Sequence, residues 1–161
     1  MNKLLIGTSN QAKLETYKKL LKDFNFEIVS SKDLNIPAPE EKHKTFEEEA
    51  VNKARYYFEK SGIPVIVDDG GFEIEALNGE PGLKSGRWIG RKMTDEEIIA
   101  EVMKRTKNLA EDLKACKFVV MIAVATSFGV FTAHGEIAGV VAEKPSEKRI
   151  PHFPYRSVLY L

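Results

Sequence analysis

Residues 63–71, Ile-Pro-Val-Ile-Val-Asp-Asp-Gly-Gly, decide how the rest of the chain is read. Val65, Ile66 and Val67 form a short β-branched run, the pattern of a buried strand. Asp68 and Asp69 follow where that strand should end. Gly70 and Gly71 allow the backbone to turn sharply and to approach a ligand closely. Residues 72–77, Phe-Glu-Ile-Glu-Ala-Leu, then alternate apolar and acidic side chains, which predicts a second strand. Adjacent like charges are costly unless solvated, paired or bound to a cation. An acidic turn between two strands satisfies that condition. So does a divalent-metal site, because hard cations such as Mg²⁺ take carboxylate oxygens.

Working outward from this stretch, helical and extended patterns alternate. Upstream, residues 3–7 read as a strand, and Thr8-Ser9-Asn10 as a polar turn or cap. A helix is expected over residues 11–23, with Leu14, Tyr17, Leu20, Leu21 and Phe24 on its inner face. Residues 27–30 form a further strand candidate. Residues 33–44 read as a loop containing Pro37, Pro39 and Glu40-Glu41. Thr45 and Glu48 make a capping box that opens a helix with Phe46, Ala50, Ala54, Tyr57 and Phe58 inward; Gly62 and Pro64 stop it.

Downstream, residues 78–82 are rich in turn formers, and residues 83–92 carry Arg87, Trp88, Arg91 and Lys92. A second capping box, Thr94 to Glu97, predicts a helix facing inward through Ile98, Ile99, Val102 and Met103. Residues 118–125 read as a central strand, residues 130–137 as its antiparallel partner after a turn at 127–129, and residues 157–161 as a last strand. Strands alternating with helices, together with hairpins, indicate an α/β fold with a mixed sheet.

Composition narrows the function classes. The chain has 161 residues, enough for a single domain or two lobes on one sheet, with a core that needs no staples. Its 24 basic and 24 acidic residues balance, which argues against a broad nucleic-acid surface. The one cysteine, Cys116, sits in an apolar run and reads as a small buried residue. No N-terminal signal is visible, and no apolar run reaches the ~20 residues that span a bilayer. A soluble, cytoplasmic protein without a membrane partner is the expectation.

Three constellations could carry chemistry. Thr8-Ser9-Asn10-Gln11-Ala12-Lys13 links a strand to a helix N-terminus, which suits phosphate; the glycine pattern of a P-loop is absent. An ordinary N-cap at Ser9 or Asn10 explains the same residues. Glu40-Glu41 is either a solvated acidic pair or, with Asp68 and Asp69, part of a Mg²⁺ site that keeps several waters. Arg87, Arg91 and Lys92 are either a solvated face or a polyphosphate clamp. His43, His134 and His152 have no ligand spacing.

Taken in order, several stretches resemble the Ham1/inosine triphosphate pyrophosphatase family. They are residues 8–13, then Thr45-Phe46-Glu47-Glu48-Glu49-Ala50 with Lys53-Ala54, then Asp68-Asp69-Gly70-Gly71-Phe72. Residues 76–82, Ser85-Gly86-Arg87-Trp88, His134-Gly135 and Gly139 complete the set. The resemblance implies an elongated mixed sheet flanked by helices as two lobes with a central cleft. Over residues 1–161 it implies a single pyrophosphatase-like domain that lacks the family's C-terminal helical segment. It further implies homodimerisation, Mg²⁺ dependence, and hydrolysis of nucleoside triphosphates, those of deaminated purines, to the monophosphate and pyrophosphate. A degenerate nucleotide-binding paralogue without turnover and a pyrophosphatase of different base choice remain open.

Carried over residue by residue, the resemblance assigns substrate binding to Thr8, Ser9, Asn10, Gln11, Ala12 and Lys13, and also to Gly70, Arg87, Phe153, Tyr155 and Arg156. It assigns Mg²⁺ to Glu41, Asp69 and Asp68, with Asp69 the catalytic general base. Gly70 stands where the family usually has a serine. Phe153-Pro154-Tyr155-Arg156-Ser157 stands where the family has Phe-Gly-Tyr-Asp-Pro, so Arg156 reverses a charge expected beside the base.

Overall fold

A computed structural model describes residues 2–161. Its seven strands and three α-helices run in the order β1 (Asn2–Ile6), α1 (Gln11–Leu20), β2 (Phe26–Ser30), α2 (Phe46–Ser61), β3 (Val65–Ile74) and β4 (Glu80–Pro81). They continue with α3 (Asp95–Thr106), β5 (Ala115–Thr126), β6 (Gly129–Val141) and β7 (Leu159–Tyr160). The strands form one mixed sheet in the order β2-β1-β3-β5-β6-β7, with β4 on β3. β1 runs parallel to β2 and β3, whereas β3–β4 and β6–β7 are antiparallel. This is the mixed α/β architecture expected from the alternation of patterns.

The central stretch differs from its reading in one decisive respect. β3 is a single ten-residue strand running through Asp68, Asp69, Gly70 and Gly71 without a turn. The reason is packing: a β-carbon on Gly70 would collide with the Val119 carbonyl oxygen. Glycine within a strand often marks such a close backbone approach. Residues 75–77, expected to extend a second strand, form a 3-10 turn instead.

The chain divides into two compact units: residues up to Asp69 with Met121–His134, and Gly70–Val120 with Gly135–Leu161. In the first, strand alternation sorts the core by face. Leu4 and Ile6 pack with Leu14 of α1, joined by Tyr17, Leu21, Ile28 and Ile66. Leu5, Val65 and Val67 pack with Ala50, Ala54 and Tyr57 of α2, and with Ala123 and Ala125. Helices α1 and α2 therefore cover opposite faces of β1 and β3.

Both capping boxes form as expected, Thr45–Glu48 on α2 and Thr94–Glu97 on α3. Gly62 ends α2 in the left-handed conformation, at φ 67°. Helix α1 is shorter than expected, ending at Leu20. Leu20 and Phe24, expected inside, are 66% and 60% exposed. Leu20 is the last residue of the helix, and Phe24 lies beyond it.

The second unit packs Phe72, Ile74, Trp88, Met93, Ile98, Ile99, Val102, Cys116, Val141, Tyr155 and Val158 into one cluster. Burial pushes the Cys116 thiol pKa up to about 11, consistent with an inert packing residue. Residues 157–161 are not one strand: a 3-10 turn, Pro154–Ser157, precedes the two-residue β7. No helix among the described residues is long and apolar enough to cross a membrane.

Candidate active site

The first unit brings two lysines and three of the predicted carboxylates together along β3. Successive side chains of a strand point to opposite faces. Asp68 shares the face of Ile66, on which α1 lies, and meets Lys13 of that helix, with Nζ 2.5 Å from Oδ2. Asp69 shares the face of Val67, on which α2 lies, and meets Lys53 of that helix, with Nζ 3.1 Å from Oδ1. The same ammonium donates to Glu41 Oε1 at 2.9 Å. Lying 2.9 Å and 3.1 Å from one nitrogen, the Glu41 and Asp69 oxygens are at most 6.0 Å apart.

This alternation places Asp68 and Asp69 on opposite faces of β3. With a turn at Gly70, Asp68 and Asp69 could have converged. On a continuous strand they diverge, and Asp68 belongs to the Lys13 side. Among the described residues no three His, Cys, Asp or Glu side chains are gathered to hold a metal ion. Glu41 and Asp69 remain as a pair.

The electrostatics follow from burial and from these partners. Burial raises the Asp69 pKa, and the Lys53 charge and hydrogen bond, with Lys13 further off, hold it partly down; the net shift is upward. Burial would lower the Lys53 pKa, but Asp69 and Glu41 together lift it above its ordinary value. The Tyr17 hydroxyl is pushed up by burial, then by the neighbouring Asp68 charge. Asp68 Oδ1 is buried without a hydrogen-bond partner.

The strand-to-helix segment is built as a cap. Asn10 Oδ1 accepts from the Ala12 and Lys13 N–H groups at 2.9 and 3.3 Å, and Thr8 Oγ1 accepts from Asn10 N–H at 3.1 Å. Those helix donors are thus taken by the chain itself. Outward, Asn10 can still offer its amide NH₂ and Thr8 its hydroxyl proton. Gly7 sets the entry to the turn, because a β-carbon there would lie 2.6 Å from both Tyr57 and Val67. A cavity of about 280 Å³ opens beside the cap, lined by Thr8, Ser9, Asn10 and Gln11 with Ser30, Ser31 and Lys32. Lys13, Asp68 and Asp69 do not line it.

The other predicted residues lie in the second unit. Gly70 is packed against β5 as described. Arg87 is exposed. The Phe153 ring carries the Arg156 guanidinium 4.7 Å from its centroid. Tyr155, expected to touch substrate, packs in the core of the second unit. It is 6% exposed, stacks on Phe72 with centroids 4.7 Å apart, and donates its hydroxyl to the Ser85 carbonyl at 2.6 Å. Its ring and its hydroxyl are both occupied within the protein.

The sequence model of the Ham1 family matches residues 4–161. The chain belongs to the Ham1 family. It is 37% identical to a dITP/XTP pyrophosphatase of Haemophilus influenzae, over 98% of this chain and 82% of that protein. It is 38% identical to the dITP/XTP pyrophosphatase of Mannheimia succiniciproducens, over 88% and 75%. The structure of a Ham1 protein from Coxiella burnetii superposes with a TM-score of 0.89 at 29% identity, covering 100% of this chain and 82% of that one. The Staphylococcus aureus Ham1 protein gives 0.85 at 28%, covering 99% and 81%. Within this Ham1 chain the residue that sequence reading left without a role is Lys53. It stood in the quoted Lys53-Ala54 pair, eight residues after the Thr45 cap. Helical periodicity from the buried Glu49 and Ala50 places it beside the inward stripe, and that was the available signal.

Proposed function

We propose that this Ham1 chain hydrolyses (deoxy)nucleoside triphosphates to the monophosphate and pyrophosphate with Mg²⁺, acting on deaminated purines such as ITP, dITP and XTP. The observation that carries the reading is the Lys53 ammonium held between Glu41 and Asp69, in a chain whose relatives are dITP/XTP pyrophosphatases.

Two carboxylates within reach of one cation fit Mg²⁺, which takes one or two protein carboxylates and completes its shell with water and phosphate oxygens. Glu41 and Asp69 would hold it, and it would offset phosphate charge and acidify a bound water. Thr8, Asn10 and Lys13 are assigned to the triphosphate. Lys13 already has a carboxylate partner, so a phosphate oxygen competes with Asp68 for its ammonium. Asp69 accepts the proton of the attacking water on a carboxylate oxygen. Burial raises its pKa, which makes it a stronger base than a surface aspartate. Lys53 steadies that carboxylate and balances its charge. Phe153, with Arg156 on one face, offers an aromatic surface suited to a base. Self-association as a homodimer belongs to the same proposal, supported by the exposed Phe128 and Phe131.

The test is pyrophosphate release from ITP, dITP, XTP, ATP and GTP with Mg²⁺, by wild type and Asp69→Asn. The expected result is turnover of the deaminated purines, and a loss of about 10²- to 10⁴-fold in the variant. Absence of turnover on every triphosphate, or full activity in Asp69→Asn, would overturn the proposal. Binding without turnover would make the chain a nucleotide-binding protein.

A further inference from the structure

The segment that carries Glu41 is held from α2 by a carboxylate to which the catalytic reading gives no part. Glu49 lies in the first turn of α2 and is 2% exposed. Its Oε1 accepts the His43 N–H at 2.5 Å, while its Oε2 is buried with no hydrogen-bond partner. Burying a carboxylate with one oxygen unsatisfied is costly. The nearby helix N-terminus offsets only part of that cost. A neutral or smaller residue would avoid it, so the carboxylate's retention calls for a return.

The geometry supplies one. Lys53 stands four residues further along α2, on the same side of the helix as Glu49. Glu49 grips the chain at His43 and Lys53 grips it at Glu41. Two neighbouring points of one segment are thus fixed to one rigid helix. A flexible acidic side chain is held toward Asp69 only if its backbone is held too.

We propose that Glu49 is a positioning residue for the reaction. By anchoring the His43 amide it sets where Glu41 stands relative to Lys53 and Asp69, and thereby how well the pair takes Mg²⁺. This rests on the reading of Glu41 and Asp69 as the metal-binding pair.

Two measurements test it. The first is hydrogen exchange of the His43 amide in the metal-free protein. The Glu49→Ala variant should exchange at least about tenfold faster there. The Glu49→Gln variant, whose amide oxygen can still accept, should stay near wild type. The second is the Mg²⁺ dependence of pyrophosphate release. Half-saturating Mg²⁺ should rise about 10- to 100-fold in Glu49→Ala, with KM for the triphosphate at saturating Mg²⁺ little changed, and should return toward wild type in Glu49→Gln. In a Glu41→Ala background, Glu49→Ala should add little more. If Glu49→Ala does not fold, Glu49→Asp, which keeps the charge and withdraws the oxygen, takes its place. Unchanged exchange at His43, unchanged Mg²⁺ dependence, or fully multiplicative effects of the Glu41 and Glu49 variants would overturn the proposal. Should the wild type lack Mg²⁺-dependent hydrolysis, the functional reading fails, and the positioning role falls with it. The exchange result would then show separately whether Glu49 holds the segment.

Discussion

Asp68 and Asp69 are chemically identical neighbours with different partners, because a strand sends them to opposite faces. Asp69 is the informative one, since burial and Lys53 pull its pKa in opposing directions. Removing Lys53 leaves burial unopposed. In the metal-free protein, Lys53→Met should therefore raise the Asp69 pKa above its wild-type value, read by carbon-13 NMR titration of the carboxyl. A downward shift would mean that Lys53 is not the dominant counter-charge. At Gly70 the relevant quantity is space. Alanine or serine there must push the Val119 carbonyl aside, so Gly70→Ser should destabilise by about 1–3 kcal/mol in urea melts. A hydroxyl cannot simply be introduced at this position in this chain.

At the level of elements, the helices were the most legible. Each capping box stood in the sequence as Thr-x-x-Glu ahead of an apolar stripe, and each formed. On α3 the box has a second support: Arg91 and the Thr94 N–H hold the Glu97 pKa down to about 2. An acid whose pKa is lower when folded contributes stability above its unfolded pKa and loses it as pH falls through the folded value. The wild type should therefore lose more stability than Glu97→Gln between about pH 4.5 and pH 2, measured by thermal melts across that range. The strands were less legible where glycine intervened. Asp-Asp-Gly-Gly carries the same local signal for a turn as for a close approach. Only the carbonyl of Val119, some fifty residues away, distinguishes them. The packing of Tyr155 was not legible for a related reason. Its partners Phe72 and Ser85 are remote in sequence, and an aromatic beside an arginine looks the same from the sequence whether it faces a ligand or a core. Lys53 was missed because its partners lie on a loop and a strand that no pattern within α2 announces.

For the molecule as a whole, the two units are not independent lengths of chain. β3, β5 and β6 each pass from one to the other. Unfolding either unit would fray strands that belong to both, so a single cooperative transition is expected. The lone tryptophan, Trp88, is buried in the second unit and reports on it directly, while far-UV circular dichroism averages over the chain. The two signals should give coincident urea transitions, and Phe72→Ala should shift both together by about 3–5 kcal/mol. Separate midpoints would show that the units melt apart.

The assignment of each aspartate to its own helix has an evolutionary corollary. Parity along β3 is a binary code: one residue inserted or lost between Val65 and Asp68 would hand each carboxylate to the wrong lysine while leaving the composition almost untouched. Point changes in this strand can be graded, but an indel is all or nothing. Lineages of this chain should therefore tolerate length variation around Asn78 and Gly79, and none in the five residues that count the aspartates into place.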